Sequence, residues 1–324
     1  MNNNLASYKP PRGLATLAAA PPSLFLPDAK AAERFFDFFT SNIRNKNTRR
    51  AYYKAVCRFA DWCAGRGVID LARVKPVHVA TYIEALAVDV AKPTVKQHLA
   101  AIRMLLDWLV VGHIIDVNPA HAVRGPKYVV KKGRTPVLTS EEARAMLAAI
   151  DAGTLTGLRD RALIGTMIYT FARIGAVLQM NVGDYFTQGR RGWVQLHEKG
   201  GKEHAAPCHH KLEAMLDAYL AAAGIAGDGE EALFLTTGRS TGTPQRMTQP
   251  DAYRMIQRRA RQAGIETKIG NHSLRATGIT DYLTNNGTLE HAQQMANHSS
   301  PRTTKLYDRR NDEVALEEYE RVGI

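Results

Sequence analysis

A chain of 324 residues, 45% hydrophobic and 23% charged, has room for two domains with cores of their own and the composition of a globular protein. Its 43 Lys and Arg outweigh 31 Asp and Glu, and a net charge of +12 favours a polyanionic partner through the release of condensed counterions. Three cysteines without a C-x-x-C pair speak against a disulfide framework and a structural zinc and suit a reducing cytosol, and no apolar run nears the ~18 residues that a membrane span needs.

Residues 1–27 read as a flexible Pro/Ala-rich arm. Pro21 and Pro22 interrupt its apolar part, and no small-x-small cleavage site follows, so a signal peptide is not indicated. Residues 28–123 read as a helical domain. Phe35, Phe36, Phe38 and Phe39 share one face of its first helix. "NTRRAYYKAVCRFADWCAGRG" is a second helix, capped by Asn47 or Thr48, closed by Gly65 and Gly67, with Tyr52, Val56, Phe59 and Cys63 as its stripe. "KPVHVATYIEALA" is a third. A fourth starts at Pro93-Thr94, ends at Gly112, and buries Val95, Leu99, Ile102, Leu105 or Leu106, and Leu109.

Residues 124–136 carry Arg124, Lys127, Lys131, Lys132 and Arg134 with no acid, and read as an exposed linker suited to lie along a row of phosphates. Residues 137–307 read as a second, α+β domain. Thr139 and Glu142 form a capping box. "GLRDRALIGTMIYTFARIGAVLQM" is a helical run that breaks into two near Phe171. "GWVQLHEKGGKEHAAPC" makes two antiparallel strands around Gly200-Gly201, and "ALFLT" a third short strand. "QPDAYRMIQRRARQAGI" is a basic helix closed at Gly264, whose Arg254, Arg258, Arg259 and Arg261 are candidates for contact with a phosphate backbone. "HSLRATGITDYLTNNG" and "LEHAQQMANHSS" are further helices. The fold class expected is mainly α with one small antiparallel sheet. In residues 308–324, Ala315, Tyr319 and Val322 fall at helical spacing on a charged segment, a one-sided tail helix that wants a groove.

The second domain holds the groups that metal-free cleavage of a phosphodiester requires: a nucleophile, cations for the charge gathering on phosphorus, and an acid for the leaving oxygen. Arginine binds two phosphate oxygens with its planar fork. His272 and Arg275 stand three apart near a helix start, where amides favour an anion. Arg173 ends an apolar stretch and needs either an anion or an internal partner such as Asp184. Lys199 sits at the expected hairpin tip, with Lys202 as the alternative. His298 ends a helix, and Tyr307 follows among basic residues. No H-E-x-x-H or similar ligand spacing appears for a metal hydrolase.

Taken in order, Arg173, Lys199, His272-x-x-Arg275, His298 and Tyr307 resemble the tyrosine recombinase (phage integrase) family, over roughly Ser41 to Leu306. "ARIGAVLQMNVGDY" is similar to that family's arginine block, "KGGKE" to its lysine hairpin, "HSLRATGITDYL" to its H-x-L-R-x-T helix, and "NHSSPRTTKLY" to its G-H-x-x-x-x-T-T-x-x-Y ending. The resemblance implies a site-specific recombinase that works without metal or nucleotide cofactor. It would clamp double-stranded DNA between a helical core-binding domain and a catalytic domain, as a homotetramer on two DNA sites, with the tail docked on a neighbouring protomer. Tyr307 would be the nucleophile and form a 3′-phosphotyrosyl bond, Arg173 and Arg275 would hold the scissile phosphate, Lys199 would protonate the leaving 5′ oxygen, His272 would act as acid/base, and His298 would donate to a phosphate oxygen. A type IB topoisomerase shares this chemistry but works as a monomer. The chain departs from the family's pattern at three places. Gly175 and Ala176 stand where Ser-Glu is usual, Asn297 stands for the glycine before the histidine, and Ala276 stands for a histidine.

Overall fold

The computed structural model describes residues 21–130, 133–198, 201–227, 229–236, 242–309 and 320–321. They fall into two compact units, Met1–Val129 and Val130–Ile324.

The first unit is built on α1 (Ala29–Asp37), α2 (Lys46–Ala64), α3 (Pro76–Asp89) and α4 (Lys92–Val111). Asp28 caps α1 by accepting from the Ala31 amide at 2.8 Å. After Asp37 the backbone passes into a π turn, Phe38–Asn42. Phe35, Phe36, Phe38 and Phe39 are all buried, with Phe35 and Phe38 each edge-on to Phe39. The core reaches further back than expected. Leu24 and Phe25, assigned by sequence to the arm, are buried, and Phe25 stacks on Phe35 at 5.5 Å. Asn45 caps α2, rather than Asn47 or Thr48, whose amides it serves at 3.0 and 3.1 Å. A cap accepts from amides two or three residues ahead, so it stands before its partners. Tyr53, Val56, Phe59 and Cys63 form the buried face of α2, with Tyr52 at its margin, and α4 buries both Leu105 and Leu106.

The second unit comprises α5 (Ser140–Ala148), α6 (Leu155–Tyr169), α7 (Ile174–Gln179), β1 (Tyr185–Gln188), β2 (Arg191–Glu198), β3 (Lys202–Pro207), α8 (His210–Ala223), α9 (Gln249–Gln262), α10 (Asn271–Thr284), α11 (Leu289–Met295) and α12 (Pro301–Lys305). The Thr139–Glu142 capping box closes in both directions, at 3.1 and 2.9 Å. The antiparallel sheet has the order β1-β2-β3, and its β2–β3 register pairs His197 with Glu203 and Glu198 with Lys202. Its third strand is Tyr185–Gln188. The segment expected to supply it, residues 232–236, makes only isolated bridges, Ala232 to Asn181 and Leu235 to Arg246. The expected tail helix over 308–324 falls largely outside the described residues.

Inside this unit Asp160 is fully buried and is bound by Arg159 at 2.6 Å, Arg258 at 2.9 Å and Arg259 at 2.7 Å. This corrects the view of α9 as a basic outer face. Arg254, Arg258 and Arg261 are exposed, but Arg259 is turned inward, because a carboxylate removed from water must be matched by cations. Asp160→Ala leaves two buried guanidinium groups short of their anion. Urea unfolding should show a loss of about 3–5 kcal/mol, and a midpoint unchanged from the parent chain would contradict this account.

Candidate active site

The break between α6 and α7 creates the first part of the site. Phe171 has φ +54°, uncommon for a bulky residue, and lies in the break between the helices. Arg173 becomes the N-cap residue of α7, with its side chain 38% exposed, between buried Ala172 and Ile174. Its Nη1 meets Glu198 Oε2 at 2.5 Å. Glu198 ends β2, its side chain is 4% exposed, and its Oε2 also accepts from Asn297 Nδ2 at 3.1 Å. Asp184, the internal partner weighed from sequence, is engaged elsewhere. It accepts from the Asn181 amide at 2.8 Å and pairs with His197 Nε2 at 3.0 Å. Asn297 has φ +46°, a left-handed conformation that asparagine tolerates better than most residues. That is why it can stand where glycine is usual, and its amide then reaches the carboxylate.

Helix α10 brings in the second arginine. Ser273 Oγ accepts from the Gly270 amide at 3.0 Å at the helix start. Gly278 lets α10 lie against the end of α6, since a Cβ there would collide with the Ile168 carbonyl and the Phe171 ring. Arg275 is 3% exposed. Its Nη1 donates to the Phe171 carbonyl, and its Nη2 donates to the Ala296 carbonyl at 2.6 Å and to His298 Nε2 at 2.7 Å. Burial, and then the Arg173 charge, push this guanidinium down to about 10, against the opposing pull of Tyr307 and Glu198. His298 is 7% exposed, and its Nδ1 lies 2.9 Å from Thr304 Oγ1. Burial and the charges of Arg275 and Arg173 lower its pKa to about 4, so the ring is neutral at pH 7.

Tyr307 follows α12 and is half-buried. Its ring stacks on His298, centroids 5.7 Å apart and planes 12° apart, and packs on the cluster of Phe171, Ile279, Leu283, Ala292 and Ala296. Its carbonyl accepts from Thr280 Oγ1 at 3.1 Å. The end of the 124–136 segment braces this part of the chain. Gly133 lies against the Leu306 carbonyl, and the Thr135 carbonyl accepts from Arg309 at 2.7 Å.

Arg173, Arg275, His298 and Tyr307 therefore share one locus. His272 lies on the same helix as Arg275, three residues before it. It stands exposed in the first turn of α10 and makes none of the contacts that link the other four among the described residues. Lys199, Lys131 and Lys132 lie outside the described residues, and Lys202 is exposed at the start of β3. Arg124 and Lys127 are exposed in the first unit and Arg134 in the second. Glu198, Asn297 and Thr304 escaped the sequence reading as partners. The one signal for Glu198 was a carboxylate directly before the candidate lysine. Among the described residues no group of His, Cys, Asp and Glu could hold a metal ion, and no helix is long and apolar enough to cross a membrane. A phenol beside two guanidinium groups, one of them buried, suits an anion that the phenol can attack.

The profile of the phage integrase family matches residues 136–314, and that of the phage integrase N-terminal SAM-like domain matches residues 32–115. Tyrosine recombinase XerD of Ralstonia nicotianae is 28% identical over 296 residues, covering 89% of this chain and 93% of the relative. Tyrosine recombinase XerC of Thermodesulfovibrio yellowstonii is 25% identical over 284 residues, covering 86% and 90%. Among solved structures, the XerH site-specific recombinase bound to its difH substrate matches with a TM-score of 0.68 at 17% identity, over 94% of this chain and 98% of that one. A lambda integrase dimer bound to a COC′ core site matches with a TM-score of 0.66 at 18% identity, over 88% and 96%. At such identities the structural likeness is one of fold, whereas the family profile spans more than half of the sequence. The chain belongs to the phage integrase family, the tyrosine recombinases.

Proposed function

We propose that this chain is a site-specific DNA recombinase whose nucleophile is Tyr307. The phenolic oxygen attacks the scissile phosphorus, the bond from phosphorus to the 5′ oxygen breaks, and a 3′-phosphotyrosyl bond with a free 5′-hydroxyl results. Arg173 and Arg275 neutralise the non-bridging oxygens, and His298 donates to one of them. Lys199 gives its proton to the leaving 5′ oxygen, and His272 handles the phenolic proton. Glu198 stands in for the carboxylate absent at Ala176 and fixes Arg173 through Nη1, leaving the rest of the guanidinium for phosphate. The observation that carries this reading is the meeting of Arg173, Arg275, His298 and Tyr307 at one place, from segments far apart in the chain.

Exposed Arg124, Lys127, Arg134, Arg254, Arg258 and Arg261, with Lys131 and Lys132, supply backbone contacts that position the duplex. Strand exchange takes four active sites on two duplexes, so the working form is a homotetramer on DNA, with the 308–324 segment docked on a neighbour. A lambda integrase of the same fold crystallised as a tetramer on a Holliday junction supports this assembly.

The test is a covalent trap. The protein is incubated with duplex DNA from either side of its gene and denatured, and the linked fragments are sequenced. Protein on the 3′ end with a free 5′-hydroxyl is expected; linkage to the 5′ end, or no linked fragment, overturns the reading. The same assay places the acid. Lys199→Ala should slow cleavage about 10²–10⁴-fold on ordinary DNA and far less on a duplex with a 5′-thiolate leaving group, which needs no proton. Equal losses on the two substrates would remove Lys199 from the role and leave Lys202, or no acid at this place.

A further inference from the structure

The two ring nitrogens of His298 have different partners, and together these decide which one carries the proton. Arg275 Nη2 can only donate, and it lies 2.7 Å from Nε2, so Nε2 presents a lone pair. The hydrogen of the neutral ring is then on Nδ1, where Thr304 Oγ1 accepts it at 2.9 Å. His298 thus faces the centre of the site as an acceptor, the wrong polarity for a group that steadies a phosphate oxygen, since that oxygen also only accepts. Both hydrogens of Arg275 Nη2 are engaged as well, by Ala296 and by His298. A phosphate oxygen that reaches Nη2 displaces the imidazole and then meets its lone pair.

We propose that the fully buried Thr304 hydroxyl is the switch that reverses the polarity of His298 when the phosphate enters, a positioning role that rests on the recombinase reading above. A hydroxyl accepts or donates according to its rotation, so the buried Thr304 oxygen can serve either tautomer of His298. Without DNA, Thr304 accepts from Nδ1. When a phosphate oxygen takes the place of Nε2 on Arg275, Nδ1 releases its proton to water and Nε2 takes one from water. Thr304 then turns its own hydrogen onto Nδ1. The ring stays neutral, the proton count is unchanged, and Nε2–H points at the phosphate. In the DNA-free site burial, and then the charges of Arg275 and Arg173, act against an imidazolium. Alanine could not do this, and valine, which matches threonine in shape, could not either. Serine could.

Nitrogen NMR of ¹⁵N-histidine protein tests the switch, with the His298 signals identified by their loss in His298→Gln. Spectra are taken of Tyr307→Phe protein, free and on the duplex recovered by the covalent trap. In the free protein Nδ1 is expected to be pyrrole-like and Nε2 pyridine-like, and on DNA the two exchange. Thr304→Ser should keep the exchange, and with Tyr307 present it should cleave at close to the parent rate. Thr304→Val should bind DNA equally well, lose the exchange, and form the covalent adduct about 10–100-fold more slowly. Three results would each overturn the proposal: a proton on Nε2 in the free protein, an imidazolium on DNA, or Thr304→Val cleaving like the parent. A parent protein that forms no adduct counts against the recombinase reading instead, and the free-protein spectrum still decides the tautomer on its own.

Discussion

Tyr307→Phe should give a folded protein that binds duplex DNA and yet yields no adduct that survives denaturation. The substitution removes one oxygen and little else. The ring keeps its stack on His298 and its packing on Phe171, Ile279 and Leu283, and the backbone carbonyl still accepts from Thr280. Folding and affinity are therefore expected to stay close to those of the parent. Chemistry has no such reserve. Without the phenolic oxygen there is no bond to phosphorus, and covalent catalysts deprived of their nucleophile lose about 10⁴-fold or more. A labelled half-site run on a denaturing gel reads this directly. The chain has 12 tyrosines, and Tyr282 packs on Phe171 at the edge of the same cluster. An adduct that persists in Tyr307→Phe would pass the role to such a neighbour and undo the assignment.

Features decided within a few residues of chain were legible in the sequence. The Thr139–Glu142 box, the turn at Gly264 with φ +68° and the break at Phe171 each depend on local backbone chemistry. Contacts between distant residues were not legible. Arg259 looks like its exposed neighbours until Asp160, 99 residues earlier, is seen inside the fold. Strand β1 is four residues long and exists because β2 pairs with it, whereas α8 carries its own signal in Leu212, Leu216 and Tyr219, which repeat at helical spacing. The site divides in the same way. The order of Arg173, Arg275, His298 and Tyr307 carries the resemblance, because the types and spacings are fixed by the chemistry. The partners that orient them are reached across space. Glu198 is 25 residues from Arg173 and 99 from Asn297, so no spacing rule could have joined them. Two of the departures from the family's pattern, at Ala176 and Asn297, acquire a common physical account only once that carboxylate is located.

Glu198 is accordingly the second residue whose loss should be felt at the chemical step. Arg173 is 38% exposed, and an arginine that open to water has many rotamers to choose from. The bond from Nη1 to Glu198 at 2.5 Å selects one, and Asn297 holds the carboxylate in turn. A carboxylate could also be a rival of the phosphate for Arg173. Geometry decides against that, since Glu198 takes only Nη1 and leaves Nη2 and Nε for a phosphate oxygen. Its charge also acts on Arg275 before DNA arrives: burial, and then the charge of Arg173, lower the Arg275 pKa, and Glu198 opposes both. Glu198→Ala should therefore slow single-turnover cleavage about 10²-fold, the scale of losing one aligned donor to the transition state. Glu198→Gln should lose less, because an amide oxygen still accepts from Arg173. Asn297→Gly should lose least, because glycine adopts the left-handed backbone and only the amide contact goes. Duplex affinity measured at several salt concentrations should scarcely change in any of the three, since most of it comes from phosphate contacts away from the cleavage point. Rates that match the parent in Glu198→Ala would show that Arg173 needs no brace, and rates above the parent would show that the carboxylate competes with phosphate after all.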